Sequence, residues 1–377
     1  MAGGLALLGI GPDDPGDRST WRRDVEELRW RTFAPRVPSI LFSALFLVLT
    51  YATARELFGR GTAYTALVAA VSSSSLVWMG AQARYYSTTL ALSMAAVLCV
   101  ARVRRHGRWR DAVAMAVVLV LLFHTHVLSF VIAATVLGVL APDWLRKPGA
   151  WAKAALAAGI VCAGCVPWMV LTGWIDHVGE APGAWPLLDP MAELVRYVSE
   201  RLELVALISL GVAFAVVRGA RQRAVWPARL RAERHALVLL VTWVLVTLVL
   251  FALCMPAASF FLKRLSLPLL VPGVLLAGRA AWLLVAPVER PFGRGARRLA
   301  APALVLLVLA TSGRLLPVLP MATDLGVDDF APLEQLLSLE LPEDARIYVT
   351  PNDQLVLAWY GGVPAQSVAP VRRSYLE

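Results

Sequence analysis

Long apolar runs separated by short polar segments dominate the chain between residues 37 and 316. A helix needs about 20 apolar residues to cross about 30 Å of hydrocarbon, and fewer where it is locally buried. The pattern therefore predicts an all-α polytopic transmembrane helix bundle of about ten spans. These predicted spans are residues 37–54, 61–80, 84–101, 111–123, 126–141, 152–171, 202–217, 235–255, 265–286 and 299–316.

Residues 111–142 are unusual because basic clusters both precede and follow them. Both ends are therefore expected on one side of the membrane, with a reversal at the sequence Phe-His-Thr-His-Val. Two passes of about 15 residues reach only about 22 Å, which is less than the hydrocarbon thickness. We expect this turn to lie below the outer surface, in a cavity lined by protein.

The chain divides into three predicted parts. Residues 1–36 form an external N-terminal segment, and residues 37–316 form the transmembrane helical domain. Residues 317–377 change character: leucines at helical spacing are followed by the strand-like stretch Ala-Arg-Ile-Tyr-Val-Thr. This pattern predicts a small external C-terminal α/β segment.

Lys and Arg collect in alternate loops of the domain, with 20 in one set of loops and 5 in the other. Cytoplasmic loops of membrane proteins are the ones that accumulate Lys and Arg. The charge pattern therefore predicts a multi-pass protein with a fixed orientation. The segments predicted to face the non-cytoplasmic side are residues 80–86, 124–126, 172–201, 256–264 and the tail from 317.

The composition agrees with a membrane protein, since 58% of residues are hydrophobic, 16% are charged and the mean hydropathy is +0.65. The net charge of +10 follows from the basic loops, so topology explains it better than a nucleic-acid partner. All cysteines lie inside apolar runs, which favours small hydrophobic side chains over disulfides or a zinc site. They are Cys99, Cys162, Cys165 and Cys254.

Two groups of cations stand on the predicted outer side, where cations are disfavoured. Arg84 precedes Tyr85 and Tyr86 in the stretch GAQARYYSTTLALS, and its guanidinium fork suits a phosphate. Lys263 and Arg264 open the ninth span and indicate a local anion, for which a lipid phosphate is the candidate. The alternative for both groups is a plain anchor at the lipid head groups.

Two further groups could carry chemistry. His124 and His126 flank the predicted turn and could bind a metal, move a proton or hydrogen-bond an acceptor sugar; buried, hydrogen-bonded histidines are the simpler alternative. No third metal ligand is near them in the sequence, so no metal site is predicted. Asp176 and Glu180 belong to an acid/base cluster in an external loop, and a carboxylate there could act as general base.

Residues 36–135 resemble the polytopic glycosyltransferases of the C-type superfamily, nearest to the dolichyl-phosphate-mannose-type and Rgt-like branch. A later stretch, FLKRLSLPLLVPGVLLAGRA, resembles an Arg-Tyr-x-x-x-x-x-Pro segment of that superfamily, with Leu265 in place of Tyr. The residues that carry the first resemblance are Arg36, Pro38, Ser39, Gln82, Ala83, Arg84, Tyr85 or Tyr86, Thr125 and His126.

The resemblance implies a hexosyl- or pentosyltransferase in a bacterial plasma membrane. It would move a sugar from a polyprenyl-phosphate carrier to a glycan, lipid or protein acceptor on the outer face. Arg84, Lys263 and Arg264 would bind the carrier phosphate. The substrate pocket would be lined by Gln82, Tyr85, Tyr86, His124 and His126. Membrane lipids are expected partners; no cofactor is implied, although a divalent cation stays open.

The general base of these enzymes is an acidic residue of the first external loop, which we expect upstream of Met1, because residues 1–11 resemble the stretch after that loop. Within the chain, Asp176 and Glu180 are the remaining candidates. Two alternatives stay open. One is a flippase or other transporter of lipid-linked sugars, for which two related halves would be expected. The other is a truncated, inactive subunit.

Overall fold

The computed structural model describes residues 36–73, 85–172, 208, 211, 212, 226–254 and 267–311. Every secondary-structure element within these ranges is helical. The described residues from Ser39 onward belong to one compact unit, Ser39–Leu316. The α-helices are α1 (Val37–Phe58), α2 (Arg60–Ser72), α3 (Tyr86–His106), α4 (Trp109–Thr125), α5 (Val127–Leu145), α6 (Ala150–Leu171), α7 (Trp226–Cys254), α8 (Leu267–Leu284) and α9 (Glu289–Thr311).

Five of the described segments are long and apolar enough to cross a membrane. The predicted fold class, a helical membrane bundle, is confirmed. The predicted number of ten spans stays a prediction. The predicted segment 202–217 is described only at residues 208, 211 and 212, which are helical. The five segments are Val37–Phe58, Tyr86–His106, Ala150–Leu171, Glu233–Leu250 and Leu267–Leu284.

Several helices are longer than the apolar runs that predicted them. α3 continues past residue 101 to His106, and α7 begins at Trp226, well before residue 235. A helix keeps its backbone hydrogen bonds after it leaves the hydrocarbon, whereas hydropathy marks only the apolar layer. The predicted spans 84–101 and 235–255 therefore cover only part of each helix, and their bounds stay predictions. The predicted terminal segments lie outside the described residues, apart from residue 36.

α4 and α5 form the hairpin that the sequence predicts. Lys147, after α5, donates to the carbonyl of Arg104, and Lys153 in α6 donates to the carbonyl of Gly107 at 2.5 Å. These bonds place the start of α4 and the end of α5 at one end of the bundle, here called the basic end. His126, the residue between the two helices, lies at the opposite end, here called the aromatic end.

α3 is the most buried of the described membrane-spanning helices. In its apolar 18-residue stretch 78% is buried, against 11% in the corresponding stretch of α6. α3 packs against α4, α5 and α8, and α8 also packs against α2. The α8–α2 contact is very close: a Cβ atom at Gly278 would lie 2.6 Å from the backbone nitrogen of Ala66. Small residues allow membrane helices to approach in this way.

An ion pair ties three helices together near the basic end. Arg279 of α8 contacts the Glu233 carboxylate of α7 through two nitrogens, with Nε 3.1 Å from Oε2 and Nη2 against Oε1. Its Nη1 donates to the Thr62 hydroxyl of α2 at 3.3 Å. The guanidinium also lies 5.5 Å from the centre of the Phe58 ring.

Candidate functional site

The aromatic end brings together two of the motifs that the sequence singles out. Tyr85 stands immediately before α3, and its carbonyl accepts the Thr89 N–H at 2.8 Å, which starts the helix. The Tyr85 ring stacks on His126, with centroids 5.7 Å apart and an interplanar angle of 27°. Tyr86 meets the same Tyr85 ring edge to face at 5.1 Å. Residues far apart in the chain therefore pack together, with Tyr86 itself buried.

His126 is held in one orientation by the first turn of α5. The backbone N–H of Ser129 donates to His126 Nδ1 at 3.2 Å, and the Ser129 hydroxyl oxygen lies 2.8 Å from the same nitrogen. Because a backbone N–H can only donate, Nδ1 is the unprotonated nitrogen. The imidazole is thus neutral, with its proton on Nε2. His126 caps α5 and keeps one N–H donor on a ring that Tyr85 stacks against.

His124 has different neighbours from His126. Its Nε2 donates to the Gly164 carbonyl of α6 at 3.0 Å, because a carbonyl only accepts. A Cβ at Gly164 would lie 2.7 Å from the Val120 side chain, so glycine permits this approach of α6 to α4. His124 therefore fastens two helices, and its protonated Nε2 cannot serve as a metal ligand.

Edge-to-face aromatic contacts surround the turn between α4 and α5. The buried Phe123 ring meets Phe130 at 5.4 Å and Trp168 at 5.5 Å, both edge to face. His124 also meets Trp168 edge to face, at 5.9 Å. Each such pair contributes about 0.5–1.5 kcal/mol beyond the burial of its area. We call the set Tyr85, Tyr86, Phe123, His124, His126, Phe130 and Trp168 the aromatic–histidine cluster.

The other predicted site residues lie outside the described residues, and their roles stay predictions. They are Gln82, Arg84, Asp176, Glu180, Lys263 and Arg264. The substrate-binding roles of the tyrosines and histidines also stay predictions, although their positions are now described. Among the described residues, no group of three His, Cys, Asp or Glu side chains could hold a metal ion. A requirement for a divalent cation stays open.

Sequence reasoning missed the residues that orient the two histidines. Ser129 stands three positions after His126, the spacing of a reciprocal helix cap, and this signal could have identified it. Trp168 and Gly164 carry no comparable signal, because they reach His124 only through the packing of α6 on α4. Their contribution depends on tertiary contacts alone.

Comparison with known proteins matches part of the chain to a family. Residues 29–168 match the model of a family described as dolichyl-phosphate-mannose-protein mannosyltransferase. No curated protein and no solved structure matches the chain. The matched region is less than half of the chain, but it runs through α1 to α6 and contains the whole aromatic–histidine cluster. Together with the motifs, the match supports a membrane glycosyltransferase of the C type.

Proposed function

We propose that this protein transfers a sugar from a polyprenyl-phosphate carrier to an acceptor hydroxyl on the non-cytoplasmic face of a membrane. The family match over residues 29–168 carries the proposal, because this region contains Tyr85 and His126 in ring contact. The basic loops support the sidedness, since they assign the aromatic end to the outer face. The description of the matched family makes a mannosyl donor and a protein acceptor the first substrates to test.

The proposed reaction is a displacement at the anomeric carbon. The acceptor oxygen forms a bond to that carbon while the bond to the phosphate oxygen breaks, and the phosphate leaves with the electron pair. Arg84, Lys263 and Arg264 would stabilise the charge that develops on the leaving oxygen. The acceptor proton passes to a carboxylate, for which Asp176 and Glu180 are the candidates within this chain.

In this proposal the aromatic–histidine cluster positions the sugar. The C–H face of a sugar packs on an aromatic ring, and in this proposal that ring is His126, on the face turned away from Tyr85. The Nε2–H of the neutral His126 donates to a sugar or phosphate oxygen without adding a charge. The Ser129 contacts hold this donor in place before substrate binds, which lowers the cost of binding.

The test is label transfer by the full chain in proteoliposomes, from radiolabelled polyprenyl-phosphate mannose to a serine- and threonine-containing peptide. Tyr85→Ala and His126→Ala are each expected to lower transfer about tenfold, the effect of losing one positioning contact. Tyr64→Ala is the matched control, because Tyr64 is 52% exposed on α2 and lies outside the cluster. This control is expected to keep the parent rate.

One result would overturn the proposed transferase activity, and another would overturn the proposed role of the aromatic–histidine cluster. Movement of the labelled carrier across the bilayer without any transfer to peptide would indicate a transporter. Equal rates in the parent protein, Tyr85→Ala and His126→Ala would remove the cluster from the reaction. The phosphate assignment is tested separately, since unchanged turnover after Arg84→Ala and Arg264→Ala would refute it while leaving the transferase activity intact.

A further inference from the structure

A cavity of about 660 Å³ opens at the basic end, far from the aromatic–histidine cluster. α1, α3, α5, α7 and the loop after α5 all contribute to its lining. Part of the lining is apolar and includes Leu57, Leu239 and the indole of Trp144. The described polar residues that line it are Glu56, Arg104, Arg105, Lys147 and His235.

The described lining carries more positive than negative charge. Arg105 Nη1 lies 3.0 Å from the Glu56 carboxylate, so this pair is balanced, and His106 lies 3.5 Å from the same carboxylate. Arg104 and Lys147 add two further positive charges. Arg104 Nη2 is 3.1 Å from His235 Nδ1; because arginine only donates, the imidazole is neutral and keeps its proton on Nε2.

A smaller cavity of about 140 Å³ shares Lys147 and Trp144 with the first one. Its lining adds Arg108 and Lys153, so cationic side chains continue around Lys147. The tendency of cytoplasmic loops to be basic explains why such residues occur in these loops. It does not require cations from separate segments to meet around one cavity that is also lined by apolar side chains.

We propose that the larger cavity, of about 660 Å³, binds a phosphate ester. Ammonium and guanidinium groups are the donors that proteins use for phosphate oxygens, and basic pockets between membrane helices accept anionic head groups. The apolar part of the lining suits the glycerol and first methylene groups of a lipid. A soluble phosphate offers the same oxygens and is the second source of this chemistry. The site lies at the opposite end of the bundle from the proposed transferase site and does not depend on it.

The experiment uses the full chain in a zwitterionic detergent and follows the thermal unfolding midpoint and native mass spectra. The probes are dioctanoyl phosphatidic acid, dioctanoyl phosphatidylcholine and inorganic phosphate. Saturable binding of phosphatidic acid that exceeds binding of the other two would identify a lipid head group as the source. Equal binding of inorganic phosphate would identify a soluble source. Binding of none of the three would overturn the proposal.

Variants locate the binding. Lys147→Gln is expected to weaken phosphatidic acid binding about tenfold, as for loss of one charge-assisted hydrogen bond. Arg146→Gln is the matched control: it removes the same charge from an exposed neighbour outside the described lining, and it is expected to keep the parent affinity. Unchanged binding in Lys147→Gln, or an equal loss in Arg146→Gln, would overturn the assignment.

A second variant covers the case in which Lys147→Gln does not fold, since Lys147 also donates to the carbonyl of Arg104. Leu57→Trp adds bulk to the apolar lining and leaves every cation in place. It is expected to lower phosphatidic acid binding about tenfold, because the space for the glycerol is lost. Parent affinity in this variant would exclude the cavity as the binding place.

Discussion

The two ends of the helix bundle are built with different chemistry. At the aromatic end, stacked rings and neutral hydrogen bonds hold Tyr85, His126 and His124 in place. At the basic end, ion pairs such as Arg279 with Glu233 and lysine donors such as Lys147 connect the helices. Neutral contacts can therefore fix a donor such as His126 Nε2 without a counter-ion, whereas the charged side chains of the basic end use carboxylates or backbone carbonyls as partners.

The difference also reflects where charge is tolerated. Ionic side chains inside hydrocarbon are costly, so they are placed where partners, water or head groups satisfy them. Lys147 and Lys153 meet this condition by donating to carbonyls at the end of α3, where the helix dipole is negative. A structural role of this kind leaves further N–H donors on the Lys147 ammonium group, which the proposed phosphate site would use.

The largest expected effect comes from breaking the ion pair near the basic end. Glu233→Gln removes the carboxylate that two Arg279 nitrogens contact, in a pair whose side chains are only 13% and 28% exposed. We expect the free energy of unfolding to fall by about 2 kcal/mol, because removal of one partner of a partly buried ion pair leaves the remaining charge poorly solvated. Denaturant titration in detergent measures the change.

The double variant Glu233→Gln with Arg279→Gln serves as its control. Since neither charge remains, we expect part of the lost stability to return. A double variant that is less stable than Glu233→Gln alone would show that the ion pair does not dominate this contact.

A smaller effect is expected at the aromatic end. Ser129→Ala removes the hydroxyl oxygen 2.8 Å from His126 Nδ1, and we expect a loss of about 1 kcal/mol in unfolding free energy. Sugar transfer should also fall, because His126 loses part of its support. The matched control is Ser43→Ala, whose hydroxyl donates only to a carbonyl of its own helix. If both variants retain full transfer, the Ser129 contact does not position His126 for the reaction.

The smallest effect is expected for the exposed ion pair of the basic end. Arg105→Gln breaks the contact with Glu56, but the Arg105 side chain is 64% exposed. Exposed pairs contribute less than about 1 kcal/mol, and salt screens them. The loss measured by the same titration should shrink further at 1 M salt. A loss as large as that of Glu233→Gln would mean that exposure does not separate the two pairs.

Much of the fold follows from the apolar pattern. An apolar segment in hydrocarbon can satisfy its backbone hydrogen bonds only as a helix or in a closed barrel, so α1 and α6 lie where their runs predict them. The reversal between α4 and α5 follows from the basic clusters at both ends of that segment. Hydropathy alone does not mark the polar extensions of α3 and α7. For α3 a different signal exists, because Gly107 follows His106 directly and adopts the left-handed conformation that ends a helix.

The candidate site was predictable only in part. The motifs pointed to Tyr85 and His126 separately, and the structure shows their rings stacked. Which nitrogen of each histidine carries the proton depends on Ser129 and on the Gly164 carbonyl. The Ser129 contact is local to the first turn of α5, and its spacing could have indicated it. The Gly164 carbonyl is selected by the rotation of α6 about its axis, which the motifs do not specify.

The order of apolar and basic residues suffices to predict a helical membrane bundle and which loops face the cytoplasm, because transfer into hydrocarbon acts on each segment separately. The pairings that build the two ends need the packed bundle. Arg104 and His235 are 131 positions apart, and Arg279 and Thr62 are 217 apart. Such contacts, and the cavity among them, depend on which helix faces meet, and close packing of small residues such as Gly278 decides that.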